Sequence, residues 1–563
     1  MSRTASGSSR PAWLLPFVFI TVLLLSVLPL ARLLYAGLRY TIDSRSAGIL
    51  AEPATWIAVK NTLVTAGGGM LISLVLGAGF AFLMVLTDMR RKGLLSFAFV
   101  LPMMIPPQVT ALAWVQMSGP ASPLLKTLGI APPLGSPQPL YSLSGIALLL
   151  GVQHAPLVFL TVKAGLASLP RDGVEVARLS GATPLRVFRE VILPLSSPGM
   201  IAGAAVAFVS GVGIFGIPAI LGIPASIFTL PTFIFSRLAS FGAGTMAEMA
   251  QLSVIIAVIA SLGIAVQQWA LKGRDYRIIG LSGQNAVFPL GRLRLVAELM
   301  FWLILFFILV MPLAALVASS LVPAYGVPLN AKTVSLHAYQ EILFRQAVTL
   351  TALKNSMFLA GAAAFGLLFV TVLTAYFIGR HPGRASSILM ALIEIPYALP
   401  GIVLAVALIL LFAAPLPLIG ISIYGTIWII LIAYFSSFFA VSLKPVASAF
   451  LQMDPSLEEA ARLAGAGFLQ RMRDILVALI APAAGASVIL VFLIACSELT
   501  VSALLWSAGT QTLGVVIFNL DDGGSSDLAS ALSVLVVVLV VVLMILLELI
   551  AKRLPRGVLP WRN

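Results

Sequence analysis

"EVARLSGATPLRVFREVILP", Glu175 to Pro194, is a polar run set between apolar ones, and a second version of it, "EAARLAGAGFLQRMRDILVA", begins at Glu459. The chain of 563 residues is 60% hydrophobic and 10% charged. Its mean hydropathy is +1.08, which belongs to a multi-spanning membrane protein rather than a soluble one. Against that background, a stretch carrying Glu175, Arg178, Arg186, Arg189 and Glu190 needs a reason, and its return needs another.

The return is part of a whole-chain repeat. Lys60-Asn61-Thr62 answers to Lys354-Asn355-Ser356, and Pro102 and Pro106 to Pro396 and Pro400, at an offset of 294. Further on the offset is 284: Glu175, Ala177, Arg178, Leu179, Gly181, Ala182 and Pro198 match Glu459, Ala461, Arg462, Leu463, Gly465, Ala466 and Pro482. The ten-residue difference falls in the loop "MSGPASPLLKTLGIAPPLGSPQPL" of the first copy, where a change of loop length costs little. Residues 1–270 read as the first repeat, 271–294 as a basic linker and 295–563 as the second repeat.

Apolar runs long enough to cross a hydrocarbon core as helix lie near 13–35, 61–86, 94–116, 142–162, 199–223, 245–271, 294–319, 355–379, 385–412, 421–442, 483–506 and 529–551. The expectation is an all-α membrane protein of about twelve transmembrane helices, arranged as two parallel six-helix repeats related by an axis along the membrane normal. The first run is long and lacks a small-x-small cleavage site, so it reads as a retained helix. Most of the 34 Lys and Arg residues fall in the loops that are cytoplasmic when both termini are cytoplasmic. The net charge of +14 is then a topological signal, and it gives no support to nucleic-acid binding. One cysteine, Cys496, and three scattered histidines leave no disulfide framework and no zinc site to expect.

Within each polar run, Asp172 three residues before Glu175, and Ser456 three before Glu459, have the spacing of a capping box. Gly181 and Gly465 are placed to end the same helix in a left-handed conformation. The piece between is about 12 Å long at 1.5 Å per residue, too short to span. Thr183-Pro184 offers a new N-cap and first-turn proline in the first copy, where the second has Gly467-Phe468. Such a capped helix at equal register in both copies suits docking on another protein. A surface-lying amphipathic helix with Arg186 and Arg189 among headgroups is the alternative.

The pattern Glu-x-Ala-x-x-x-Gly-Ala, followed by Pro198 or Pro482, resembles the EAA motif of ATP-binding-cassette (ABC) importer permeases. The whole chain is similar to their fused two-copy type, which includes ferric-iron, thiamine, polyamine and phosphonate permeases. That resemblance implies a transport protein of the bacterial inner membrane, with a cytoplasmic coupling helix in each repeat. Glu175, Ala177 and Gly181, with Glu459, Ala461 and Gly465, would seat two copies of a cytoplasmic ATPase. A periplasmic binding protein would deliver the solute, ferric iron first among the candidates. Val176 and Ala478 depart from the family pattern, as do "CSELTVSALLW" (496–506) and "NLDDGGSSDLASALS" (519–533), which are looser versions of ferric-permease segments. No G-x-x-x-x-G-K-[ST] phosphate loop occurs in the sequence, so ATP and Mg would be bound by the partner ATPase subunits and this chain would be no enzyme.

Two carboxylates fall well inside apolar runs, away from their ends, Glu498 and Glu394, and their repeat counterparts are Ile214 and Val100. Intramembrane acids are costly, which makes both candidates for the substrate pathway. Hydrogen bonding to backbone freed by nearby prolines would also account for them. Asp521, Asp522 and Asp527 sit in an outer segment free of Lys and Arg, as a solvated turn or as an attractor for cations. Glycines from Gly211 to Gly216 are expected to break the fifth span. The rival class, a major-facilitator-type secondary transporter, shares the span count and a basic "LTDMRRKG" (86–93), but has no use for the capped helices.

Overall fold

The computed structural model describes residues 13–42, 48–133, 135–167, 171–239, 244–272, 288–380, 383–415 and 420–551. Its helices fall into two matching series. The first is α1 (Leu14–Arg39), α2 (Pro53–Leu86), α3 (Lys92–Met104), α4 (Pro107–Ser118), α5 (Leu143–Ala167), α6 (Arg171–Leu179), α7 (Pro184–Gly213), α8 (Gly216–Gly222), α9 (Leu230–Leu238) and α10 (Thr245–Leu271). The second is α11 (Leu293–Ser320), α12 (Ala347–Arg380), α13 (Arg384–Ala398), α14 (Gly401–Phe412), α15 (Ile427–Leu451), α16 (Pro455–Leu463), α17 (Phe468–Ser497), α18 (Ser502–Leu505), α19 (Leu513–Asp522) and α20 (Ser526–Ala551). Among the described residues, ten helices are long and apolar enough to cross a membrane unbroken.

The prolines shared by the repeats make shared elbows. α3 meets α4 at 100° and α13 meets α14 at 103°. Ile105 and Leu399, each directly before a proline, are extended, because the proline ring disfavours helical geometry in the residue ahead of it. Counting each elbow as one span gives the twelve that the sequence leads one to expect.

Two expected boundaries move. The runs at 199–223 and 483–506 are not single helices: α7 and α17 begin earlier, at Pro184 and Phe468, and end at Gly213 and Ser497. The chain then enters a bent segment, α8 and α9 at 74° in the first repeat, answered by α18 and α19 in the second. The repeated Asn-Thr and Asn-Ser pairs hold these segments. Asn61 donates to the Phe228 carbonyl and Thr62 accepts from the Leu230 amide, while Asn355 donates to the Gly509 and Gln511 carbonyls and Ser356 accepts from the Leu513 amide. Buried backbone outside a long helix needs such partners in a membrane.

Each repeat's leading helix lies against the other repeat. α1 puts Phe17 and Phe19 beside Phe369 and Phe377, and accepts from Ser436 at the Leu25 carbonyl. α11 puts Phe301 into contact with Phe80 and Phe99. Within the first repeat, glycines let α2 and α7 approach α5 closely: a Cβ at Gly77 would strike the Ala155 carbonyl, and one at Gly203 would sit 2.5 Å from Thr161 Oγ1.

Candidate functional site

The two short helices α6 and α16 end in the same way. Gly181 has φ +80° and Gly465 φ +84°. The amide of Ala182 reaches back to the Ala177 carbonyl at 3.1 Å, and that of Ala466 to Ala461 at 3.0 Å. This six-to-one bond is a Schellman ending, which needs a left-handed residue and so favours glycine. Ala177 and Ala461 are thus the residues on which each turn closes. Space around both glycines is open.

Helix starts differ from the expected capping boxes. The cap of α16 is Asp454, whose carboxylate accepts from the Ser456 amide at 2.9 Å with Pro455 behind it; Ser456 is already helical. That bond holds the Asp454 carboxyl below its ordinary range. In the first repeat Asp172 lies within α6, and its side chain is outside the described residues. Thr183 caps α7 through the Arg186 amide, as expected, and Gly467 begins α17 without a side-chain cap. A π turn follows in both copies, Phe188–Ile192 and Met472–Val477. Only the first copy has Pro194, so that proline does not cause it.

Among the charged residues that the short helices present outward stand bare leucines. Leu179 and Leu463 are each 89% exposed, and Leu185 and Leu469, just past the turn, are 66% and 76% exposed. Glu175 and Glu459 lie on the same exposed surface. Sequence reasoning centred on Glu, Ala and Gly missed these leucines. Their signal is a large apolar residue kept at one repeat position within a polar run.

Inward, the two helices are held by different chemistry. In the second repeat Glu458 pairs with Arg380 at 2.7 Å and Arg471 at 3.5 Å, and accepts from the Tyr376 hydroxyl at 2.9 Å. Arg471 also donates to the Ala466 carbonyl in the turn. The first repeat has Val174, Leu86, Val187 and Phe82 at the matching places, with the three aliphatic residues buried and Phe82 edge-on to Phe188 at 5.1 Å. The linker closes over α6 as well: Phe288 bonds the Leu86 carbonyl, the Arg178 guanidinium lies 4.2 Å from the Phe288 ring, and Asp88 accepts from the Leu290 amide. The "LTDMRRKG" run is therefore a seat for the linker.

Between the halves, the elbows meet the ends of α7 and α17. A Cβ at Gly213 would strike Pro400. In the matching place Gln108, at the start of α4, donates to the Ser497 carbonyl at 3.5 Å; it is 1% exposed and its Oε1 has no partner among the described residues. A lone amide after "MMIPP" was the available sequence signal for this residue. Glu498 stands next to the junction, yet its carboxylate caps α18 through the Val501 amide at 2.6 Å, the Ser502 amide at 3.1 Å and the Ser502 hydroxyl at 2.6 Å. Glu394 is elsewhere, on an exposed face of α13, 3.5 Å from Lys444. The structure thus does not bring the two acids together, and gives each a local partner.

A sequence profile of the family described as "Binding-protein-dependent transport system inner membrane component" matches residues 69–273 and again 371–559. A probable ABC transporter permease of Sinorhizobium fredii is 26% identical over 71% of this chain and 70% of its own length. The ferric transport system permease protein FbpB of Actinobacillus pleuropneumoniae is 25% identical over 85% of this chain and 69% of its own length. The molybdenum transport system permease ModB of Escherichia coli is 29% identical over 39% of this chain and 95% of its own length.

Proposed function

The chain belongs to the family of binding-protein-dependent transport inner membrane components, carrying both permease copies of an ABC importer in one multi-pass polypeptide, and from that premise we propose how it is driven and what it carries. α6 and α16 are sockets for two cytoplasmic ATPase subunits, which bind the ATP and Mg that this chain does not. The observation that carries this reading is the pair Leu179 and Leu463, equally bare at equal repeat positions. Large apolar side chains held in water at a rigid, twice-built turn are what a partner surface buries. Glu175, Ala177 and Gly181, with Glu459, Ala461 and Gly465, shape the two sockets. Both termini then lie on the cytoplasmic side, and a periplasmic binding protein docks on the opposite face.

ATP binding draws the ATPase subunits together and the sockets with them. Because each socket is fixed to its half, by apolar packing in one and by the Glu458 cluster in the other, the movement passes to the elbows at Pro106 and Pro400. The pathway runs where Gly213 faces Pro400 and Gln108 faces Ser497. Glu498 acts there as a positioning residue that keeps α18 in place, and Glu394 stands off the pathway.

The solute we favour is ferric iron. Its support is the ferric permease of A. pleuropneumoniae, similar over most of this chain; a molybdenum permease and a 2-aminoethylphosphonate permease also share parts of it. Thiamine, polyamine and phosphonate are the competing cargoes. Proteoliposomes holding the chain, its ATPase and its binding protein should take up ferric ion on addition of ATP, in preference to thiamine, spermidine, phosphonate or molybdate. Uptake of one of the others would replace the cargo. Uptake that survives without an ATPase would remove the importer mechanism in favour of a secondary transporter.

A further inference from the structure

On the face opposite α6 and α16 the structure has a cavity of about 350 Å³ whose rim carries Tyr141, Tyr325, Asp521, Asp522 and Ser526. Tyr141 precedes α5, whose 25 residues put about 37 Å between it and the start of α6 at 1.5 Å per residue. The floor includes Val115 of α4, Ile220 of α8 and Phe518 of α19, so the cavity stands over the junction where both halves bring their bent segments together.

Three features of the rim are unusual together. All its polar groups are oxygens, two phenols, two carboxylates and one hydroxyl, and no Lys or Arg lines the cavity. Asp521 accepts from the Ser526 hydroxyl at 3.0 Å, yet neither Asp521 nor Asp522 has a basic partner among the described residues. Neither tyrosine hydroxyl has a hydrogen-bond partner among them. Lys126, one loop away, donates to the Gly326 carbonyl instead of turning to the acids.

The other repeat shows what a closed version looks like. The counterpart of Asp521 is Arg237, and it is neutralised by Glu52 and Glu248, with its guanidinium over the Phe233 ring. Where the first half completes an ion pair, the second leaves its acids open to a cavity. Burial is the main reason that the Tyr141 hydroxyl is pushed up to about 12, with the Asp521 charge adding to it, and the Asp521 carboxyl is also raised by burial.

We propose that this cavity is an entry site for a hard, highly charged metal cation, held by the Asp521 and Asp522 carboxylates and the Tyr141 and Tyr325 oxygens before it passes between the halves. Oxygen-only donors select hard cations over soft ones. The volume leaves room for part of a hydration or chelate shell, as hard cations usually retain. Because the cavity offers no third carboxylate, His or Cys among the described residues, the phenol oxygens are needed to complete the set. The inference rests on the importer reading only for the direction of travel.

Terbium(III) tests it directly, as a hard trivalent ion whose emission is sensitised by a tyrosine close to it. Titrated into the purified full chain in nanodiscs, terbium should give saturable emission that gallium(III) citrate displaces and an equal excess of spermidine or thiamine does not. Tyr141→Phe with Tyr325→Phe should cut the emission by most of its amplitude, and Asp521→Asn should weaken binding at least tenfold, each with an unchanged gel-filtration profile. Unsaturable emission, or emission indifferent to Asp521→Asn, would overturn the site; displacement by spermidine or thiamine would reassign it to organic cations. ATP-driven uptake, measured separately, keeps the two readings apart. Uptake without terbium binding removes the site alone, and terbium binding without ATPase association removes the importer mechanism alone.

Discussion

The first half of the molecule fastens its short helix with carbon, and the second fastens the same helix with charge. Val174, Val187, Leu86 and Phe82 fill the places that Glu458, Arg471, Arg380 and Tyr376 take in the other repeat. The contrast extends into the spans. Gly77, Val158 and Gly203 form a close-packed seam in the first half, and at the matching positions Thr371, Ser442 and Ser487 form a hydroxyl chain, with oxygens 3.2 and 2.8 Å apart. Backbone geometry is common to both halves while the supporting chemistry is not. What is shared is therefore the shape of the two turns, and what differs is how each half supports that shape.

The difference sets an order of sensitivity. Glu458→Gln should have the largest effect, because it strands Arg380 and Arg471, which are 19% and 4% exposed; breaking a buried pair from one side costs about 3–5 kcal/mol. Hydrogen exchange should speed up across α16 and leave α6 unchanged. Equal loosening of both would dissolve the contrast. Val174→Ala is the matching change in the first half. It removes apolar burial alone, about 2 kcal/mol, and should loosen α6 without any dependence on salt.

Gly181→Ala and Gly465→Ala sharpen the comparison from the other side. Each forces a left-handed alanine at a cost of about 1–2 kcal/mol, with room for the methyl group. The two should therefore match within a few tenths of a kcal/mol in thermal unfolding, as the shared turn requires. The smallest effect belongs to the linker. The Leu290 amide holds the Asp88 carboxyl below its ordinary range. A depressed carboxyl contributes stability above its unfolded pKa and loses it as pH falls through the folded one. Exchange at 288–294 should accordingly rise below the usual carboxylate range, and so should exchange at the Asp454-capped start of α16.

The repeat and the helix-ending glycines were legible in the sequence, since only glycine takes a positive φ freely; the paired prolines were found too, but the runs around them, 94–116 and 385–412, read as unbroken spans where the structure bends. Helix starts were less legible. Asp454 and Ser456 both have capping side chains, and only the chain's approach through Pro455 decides between them. The break after Gly213 was signalled by the glycines from Gly211 to Gly216, whereas the one after Ser497 was hidden because an apolar run has the same composition whether it crosses or turns back. Glu498 was read as a candidate for the pathway inside a span, but a carboxylate that caps the next helix has the same letter as one that lines a path. Glu458 escaped notice beside Glu459, since adjacent residues on a helix point about 100° apart and only packing tells which one is inside.

Native mass spectrometry of the complex formed with its ATPase bears most directly on the claim that the two short helices are paired sockets. The intact chain should carry two ATPase subunits, Leu179→Asp or Leu463→Asp should leave one, and the double variant none. Retention of two subunits by the double variant, with the chain still folded, would contradict it.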